Sequence, residues 1–179
     1  IKILNRRKYT DTEINKLLKS IVILVDSREK VNLHITDYYD KHKIQHEKLA
    51  LPVGDYSFKL PKNEELGILS DQYYYNDIFV ERKNSAEELS SCFTQTRAEF
   101  NKEFASAYAE RKILLIENCN YEDIVNGNYN TKYNSKSYLA SLHSFCTKYD
   151  LQLMFLPNNK YSPIYIYGCF QYYLRYLLK

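Results

Sequence analysis

Asp77-Ile78-Phe79-Val80-Glu81-Arg82-Lys83 is the stretch from which the fold can be read. An apolar, β-branched triplet runs without a break into three charged residues. That pattern predicts a strand buried over its first half and emerging at the edge of a sheet. The same shape occurs upstream, where Ile21-Val22-Ile23-Leu24-Val25 ends in Asp26. A continuous apolar run of this kind fits a central strand buried on both faces. Ile113-Leu114-Leu115-Ile116 reads as a third buried strand, and strands are also expected over 46–51, 55–60 and 151–156.

Helical patterns separate these runs. Thr10 with Glu13 predicts a capping box and a short helix over 11–19. A second helix is expected over 32–43, with Asn32 as its cap and Val31, Ile35, Tyr38 and His42 along one side. Ser85/Glu88 and Thr96/Glu99 predict two more capping boxes and two more helices. The second of these is expected to align Phe100, Phe104 and Tyr108. Residues 134–149 carry a stripe of Tyr138, Leu142, Phe145 and Tyr149. Ser162 as cap and Pro163 as first residue open a last helix to about Leu178. Alternating strands and helices imply an α/β fold, a central mixed sheet with helices on both faces. Residues 61–76 are expected to form a polar connection.

The 179 residues, 45% apolar and 26% charged, fit one globular unit with a substantial core. Residues 1–20 are expected to form a basic N-terminal arm and short helix, and 21–179 the main domain. The arm's Arg6-Arg7-Lys8 either contacts phosphates or frays. No apolar run is long enough to span a bilayer or to serve as a secretory signal, so a cytoplasmic protein is expected. Cys92, Cys119, Cys146 and Cys169 lie far apart and fit reduced thiols rather than a zinc site or a disulfide framework. The histidines lack metal-site spacing, and no phosphate-binding glycine motif implies a nucleotide cofactor. Net charge is only +3, but acids outnumber bases 17 to 13 over residues 21–119 while both flanks are basic. An acidic centre suits a cation and basic flanks suit phosphates.

Three clusters carry the chemistry: Asp26-Ser27-Arg28-Glu29, Gly54-Asp55 and Glu81-Arg82-Lys83. A strand's period of two puts Glu81 and Lys83 on one face and Arg82 on the other. Glu81 can then bind a metal while Lys83 stands beside an attacking water. Asp55 follows a glycine turn and opens a strand, and Asp26 ends one at the edge where open α/β sheets place ligands. Hard cations take oxygen ligands, and Mg²⁺ commonly keeps one or two carboxylates plus waters. Hydrolysis of a phosphodiester needs a nucleophilic water, in-line geometry and relief of charge on the phosphate, and such an ion can polarise the phosphate oxygen and make its water more acidic.

In this order the clusters resemble the nuclease domain of the XPF/MUS structure-specific endonucleases. That family's signature runs Gly-Asp, a variable gap, Glu-Arg-Lys, three residues, then Asp. The resemblance covers about residues 21–156. It implies a restriction-endonuclease-like fold and Mg²⁺- or Mn²⁺-dependent cleavage of branched DNA such as flaps, forks or junctions. It implies metal binding by Asp26, Asp55 and Glu81, a catalytic set of Asp26, Glu29, Asp55, Glu81 and Lys83, and DNA contacts from Arg28, Arg82 and Arg97. The signature's last Asp is here Glu87, at a helix start where a carboxylate also favours the helix dipole. Many relatives carry a tandem helix-hairpin-helix module after this domain, and none is expected within residues 1–179.

A non-catalytic DNA-binding scaffold subunit is the alternative function, and a sequence-specific restriction enzyme a third. The Phe170, Tyr173, Leu174, Leu177 stripe of the last helix serves either a homodimer or the core.

Overall fold

The computed structural model describes residues 7–179, so Arg6 and the first part of the expected arm lie outside the described residues. The elements run α1 (Asp11–Lys19), β1 (Val22–Asp26), α2 (Leu33–Lys41), β2 (His46–Leu49), β3 (Tyr56–Leu60), β4 (Gln72–Tyr73) and β5 (Ile78–Lys83). Then follow α3 (Ala86–Phe93), α4 (Arg97–Ala105), β6 (Arg111–Glu117), α5 (Tyr121–Asn126), α6 (Ser135–Tyr149), β7 (Leu151–Leu156) and α7 (Ser162–Leu178).

The main strand order is β2-β1-β3-β5-β6-β7, with β4 paired to β3. β1 pairs parallel with β2, and β5, β6 and β7 are parallel to one another. β3 alone is reversed between the two groups, antiparallel to both β1 and β5. This reversal brings the start of β3 to the same edge as the ends of β1 and β5. The Asp26 N–H donates to the Asp55 carbonyl at 2.8 Å and the Asp55 N–H to the Val80 carbonyl at 2.9 Å. Three sequence clusters thus meet at one sheet edge.

Each sheet face buries its own cluster. On one side Ile23, Val25, Tyr56, Phe58, Val80, Ile113 and Leu115 pack with α1, α2 and α7. On the other Phe79, Leu114 and Ile116 pack with α3, α4 and α6, where the Phe100 and Phe145 rings stack at 4.5 Å. Ile14, Leu17 and Leu18 of α1 belong to the first cluster, so the helix grouped with the arm is part of the core.

Several local expectations need correction. α2 buries Ile35 and Tyr39, whereas Val31 is 78% exposed and His42 stacks on Tyr38 at the surface. Thr96 makes no side-chain cap, and the Ser85 cap lacks its reciprocal limb because Glu88 accepts from Asn84 N–H instead. α4 stops at Ala105, which leaves Tyr108 94% exposed rather than aligned with Phe104. Ser162 is the first residue of α7 rather than its cap. α5 and the two-residue β4 are additional. α5 is opened by a reciprocal Asn120–Asp123 box, which a search for Ser/Thr with Glu/Gln passes over. Phe170 and Leu174 are fully buried and Tyr173 and Leu177 pack against the same cluster, so the α7 stripe serves the core. Tyr172 and Tyr176 are what α7 leaves at the surface.

Candidate active site

The Gly54 turn sets the geometry of the site. Gly54 has φ +73°, and a Cβ placed on it would lie 2.4 Å from Phe79 Cδ2. Only glycine lets the backbone pass this closely over the buried Phe79 ring while holding a left-handed conformation. Asp55 leaves that turn and its Oδ2 accepts the Arg82 N–H at 2.7 Å. One carboxylate is thereby tied to the middle of the Glu81-Arg82-Lys83 triplet.

β5 then divides the triplet between the two sheet faces. Lys83 Nζ stands 2.6 Å from Glu81 Oε1 and 5.2 Å above the Phe100 ring, on the α3/α4 side. Arg82 points to the other side. Its side chain is 4% exposed and is ion-paired with both Glu29 and Glu117. Asp55, Glu81 and Lys83 line one cleft of about 440 Å³, together with Asp26, Arg28, Glu29 and Glu103.

Electrostatics mark Asp55 and Glu81 as unusual. Burial, then the charges of Glu81 and Glu29, push Asp55 well above the ordinary carboxylate range. Burial also pushes Glu81 up to about 7, against the pull of Lys83 and with the push of Glu103. Burial lowers Lys83, but the charge and hydrogen bond of Glu81, with Cys92 and Asp55, together outweigh it and hold the ammonium above the ordinary lysine range. Both partners of this pair move upward. The rise at Glu81 follows from desolvation and from Glu103 and Glu29, and the rise at Lys83 chiefly from Glu81 itself, with Cys92 and Asp55.

The remaining predicted residues fall into place differently. Asp26 is buried with both oxygens engaged: Oδ1 accepts from Leu51 N–H and Oδ2 from Arg28 Nε and, at 3.3 Å, from Arg28 N–H. Its carboxylate braces the loop after β1, and Arg28 adds a bond to the Leu51 carbonyl. Glu29 lines the cleft while held by Arg82. Arg97 begins α4, exposed and away from the cleft lining. Glu87 is also absent from that lining and accepts Asn130 N–H at 2.7 Å, bracing the loop before α6. Its neighbour Glu88 lines the cleft instead. Sequence reading did not single out Glu88 or Glu103 for the site, nor His34 and Glu117 behind it. Glu103 gave no signal, since it is one charged residue of an ordinary helix. Glu117 did give one, as an acid ending a buried apolar strand in the manner of Asp26 and Glu81.

Glu81 Oε2 is buried and has no hydrogen-bond partner among the described residues. An unclaimed carboxylate oxygen near half-buried Asp55, in an open polar cleft, fits a hard divalent cation that keeps most of its waters. Among the described residues, no group of three or more acids, histidines or cysteines is placed to hold a metal ion.

The family model described as the ERCC4 domain matches residues 25–169. The chain belongs to the ERCC4 domain family. Among solved structures, "XPF from Aeropyrum pernix" matches with a TM-score of 0.61 and 21% identity, over 85% of this chain and 61% of that one. The same protein described as a "complex with DNA" matches with a TM-score of 0.61 and 21% identity, over 86% and 65%. The fold is thus the restriction-endonuclease-like one expected of an XPF nuclease domain. This chain spans less than two thirds of the length of those two chains. No curated protein matches it. Among the described residues no helix is long and apolar enough to cross a membrane.

Proposed function

We propose that this ERCC4-domain protein is a metal-dependent DNA endonuclease acting on branched DNA. The observation that carries the reading is the convergence of Asp55, Glu81 and Lys83 on one cleft, with Glu81 Oε2 unclaimed. The solved XPF structure described as a complex with DNA supports DNA as the ligand class.

Asp55 and Glu81 would hold Mg²⁺ or Mn²⁺, and Asp26 joins them only by giving up bonds to Arg28 or Leu51. Such an ion supplies Lewis-acid charge relief at the scissile phosphate and a more acidic water. Lys83 places a cation beside Glu81 in the cleft, where it would orient an attacking water and favour the negative charge that develops on phosphate. Glu29 adds a third carboxylate to the cleft wall. Arg28, 69% exposed while anchored to Asp26, offers the remaining guanidinium surface to the DNA backbone. Arg97 supplies a phosphate contact farther along. Arg82 is turned into the core and acts on DNA only through what it positions.

The test is cleavage of end-labelled duplex, single-stranded, flap and fork DNA with Mg²⁺, Mn²⁺ or EDTA, beside Asp55→Asn. Metal-dependent cutting near a junction, lost in the variant, is the expected result. Equal cutting by the folded variant would overturn the site assignment. A non-catalytic DNA-binding scaffold is the second reading, favoured by the bonds to Arg28 and Leu51 that occupy both Asp26 oxygens. DNA binding without cutting under every metal would decide for it.

A further inference from the structure

Glu117 ends β6 fully buried, and each of its oxygens has a partner. Oε2 accepts from Arg82 Nη1 at 2.7 Å. Oε1 faces His34 Nε2 at 2.9 Å, and since a carboxylate only accepts, Nε2 carries the proton. The far side of the Arg82 guanidinium closes on the β1–α2 loop. Arg82 Nη2 donates to the Glu29 carboxylate, to the Lys30 carbonyl at 3.2 Å and more loosely to the Val31 carbonyl at 3.4 Å. His34 stands in the first turn of α2, where that loop ends.

One buried carboxylate thus grips the loop at both ends, through Arg82 at residues 29–31 and through His34 at the entry to α2. The loop has need of a grip. Val31 is β-branched, exposed and at φ +52°, a conformation such residues rarely adopt. Burial pushes the Glu117 carboxyl up, but the His34 bond and the Arg82 charge help bring it below the ordinary range, so it stays ionised.

We infer that Glu117, together with His34, is the positioning residue that fixes the β1–α2 loop and with it the Glu29 carboxylate in the cleft. Glu117 touches no reacting group. It sets where Arg82 lies, and Arg82 sets where Glu29 lies. The catalytic part of this inference rests on the nuclease reading, while the positioning part stands by itself.

The test is Glu117→Gln, which keeps volume but turns a donor toward Arg82 or His34. Two readouts separate the inference from the nuclease reading. Hydrogen exchange at the amides of Glu29, Ile35 and Thr36, each bonded within or beside the loop, should accelerate about tenfold or more while core strands keep their protection. In cleavage, kcat should fall about tenfold to a hundredfold with KM for DNA little changed, as misplacement of a reacting group predicts. In a Glu29→Gln background the same change should add less than about threefold, since both act through one group. His34→Ala, which removes one arm and leaves the Arg82 pair, should give the same loop-limited exchange to a smaller degree, and it carries the test if Glu117→Gln does not fold. Unchanged loop exchange, or a full additional kcat loss in the Glu29→Gln background, would overturn the inference. Loop exchange that accelerates in Glu117→Gln, beside a wild-type protein unable to cut any DNA, would sustain the positioning and remove the nuclease reading.

Discussion

Replacing Glu81 by Gln should make the protein more stable while abolishing cleavage. Glu81 ionises near 7 in the fold against an ordinary 4.5, chiefly because it is buried. A raised folded value means that the fold favours the protonated form. Its contribution is therefore fully present below about 4.5 and is lost as pH rises through about 7. At pH 8 the charged form costs about 3 kcal/mol, from about 1.4 kcal/mol for each unit of difference. The Lys83 attraction is already contained in that figure, because the folded value was reached with Lys83 in place. Gln keeps the size and an acceptor for Lys83 Nζ but carries no charge. For a protein of this size the gain corresponds to roughly 6 to 12 °C in Tm. Asp55 is raised in part by the Glu81 charge, so the substitution relieves Asp55 as well and acts in the same direction. Thermal unfolding followed by calorimetry in EDTA at pH 8 and pH 5 is the assay. The variant should melt well above wild type at pH 8 and close to it at pH 5. Added Mg²⁺ should raise wild type more than the variant, since a ligand that binds only the folded state stabilises it. A variant that melts at or below wild type at pH 8, or a gap independent of pH, would refute the reasoning that burial strains this carboxylate.

Gly54→Ala should cost roughly 2 to 5 kcal/mol, from a left-handed backbone and a Cβ driven into the Phe79 ring. A urea midpoint that barely moves would show that the turn has room. Arg82→Met should cost roughly 3 to 5 kcal/mol, because Glu29 and Glu117 are left buried without their cation. The same denaturation series measures it, and a cost under about 1 kcal/mol would mean that the acids find water. Arg97→Ala should leave stability within about 0.5 kcal/mol and reduce the slope of log affinity for DNA against log salt by about 1. Fluorescence anisotropy over a range of salt reads that slope, and an unchanged slope would remove Arg97 from the DNA surface.

The strands were legible because their physics is local. An apolar β-branched run ending in an acid can be recognised without knowing its partners, and β1, β5 and β6 all have that form. Their pairing was not legible. Nothing in residues 55–60 says that this strand alone runs against its neighbours, yet that reversal brings Asp55 to Glu81. The division of Glu81 and Lys83 from Arg82 followed from strand period alone. Which acids would be spoken for did not, since the bonds holding Asp26 come from Arg28 nearby and from Leu51, 25 residues away. Thr96 holds the N-cap position without a side-chain bond, and Tyr108 left its stripe because α4 ended sooner than its pattern suggested.

The split of Glu81-Arg82-Lys83 across the two faces of β5 has a consequence for genetics. A screen for lost function would score changes at all three positions alike. Two of them should fail by emptying the cleft and one by loosening the core, so activity alone reads a single motif where the molecule has two constraints. Inserting or deleting one residue within β5 would exchange the tenants, sending an acid into the apolar layer and the guanidinium into the cleft. Descent should therefore tolerate changes of length in the loops around this strand and scarcely any within it.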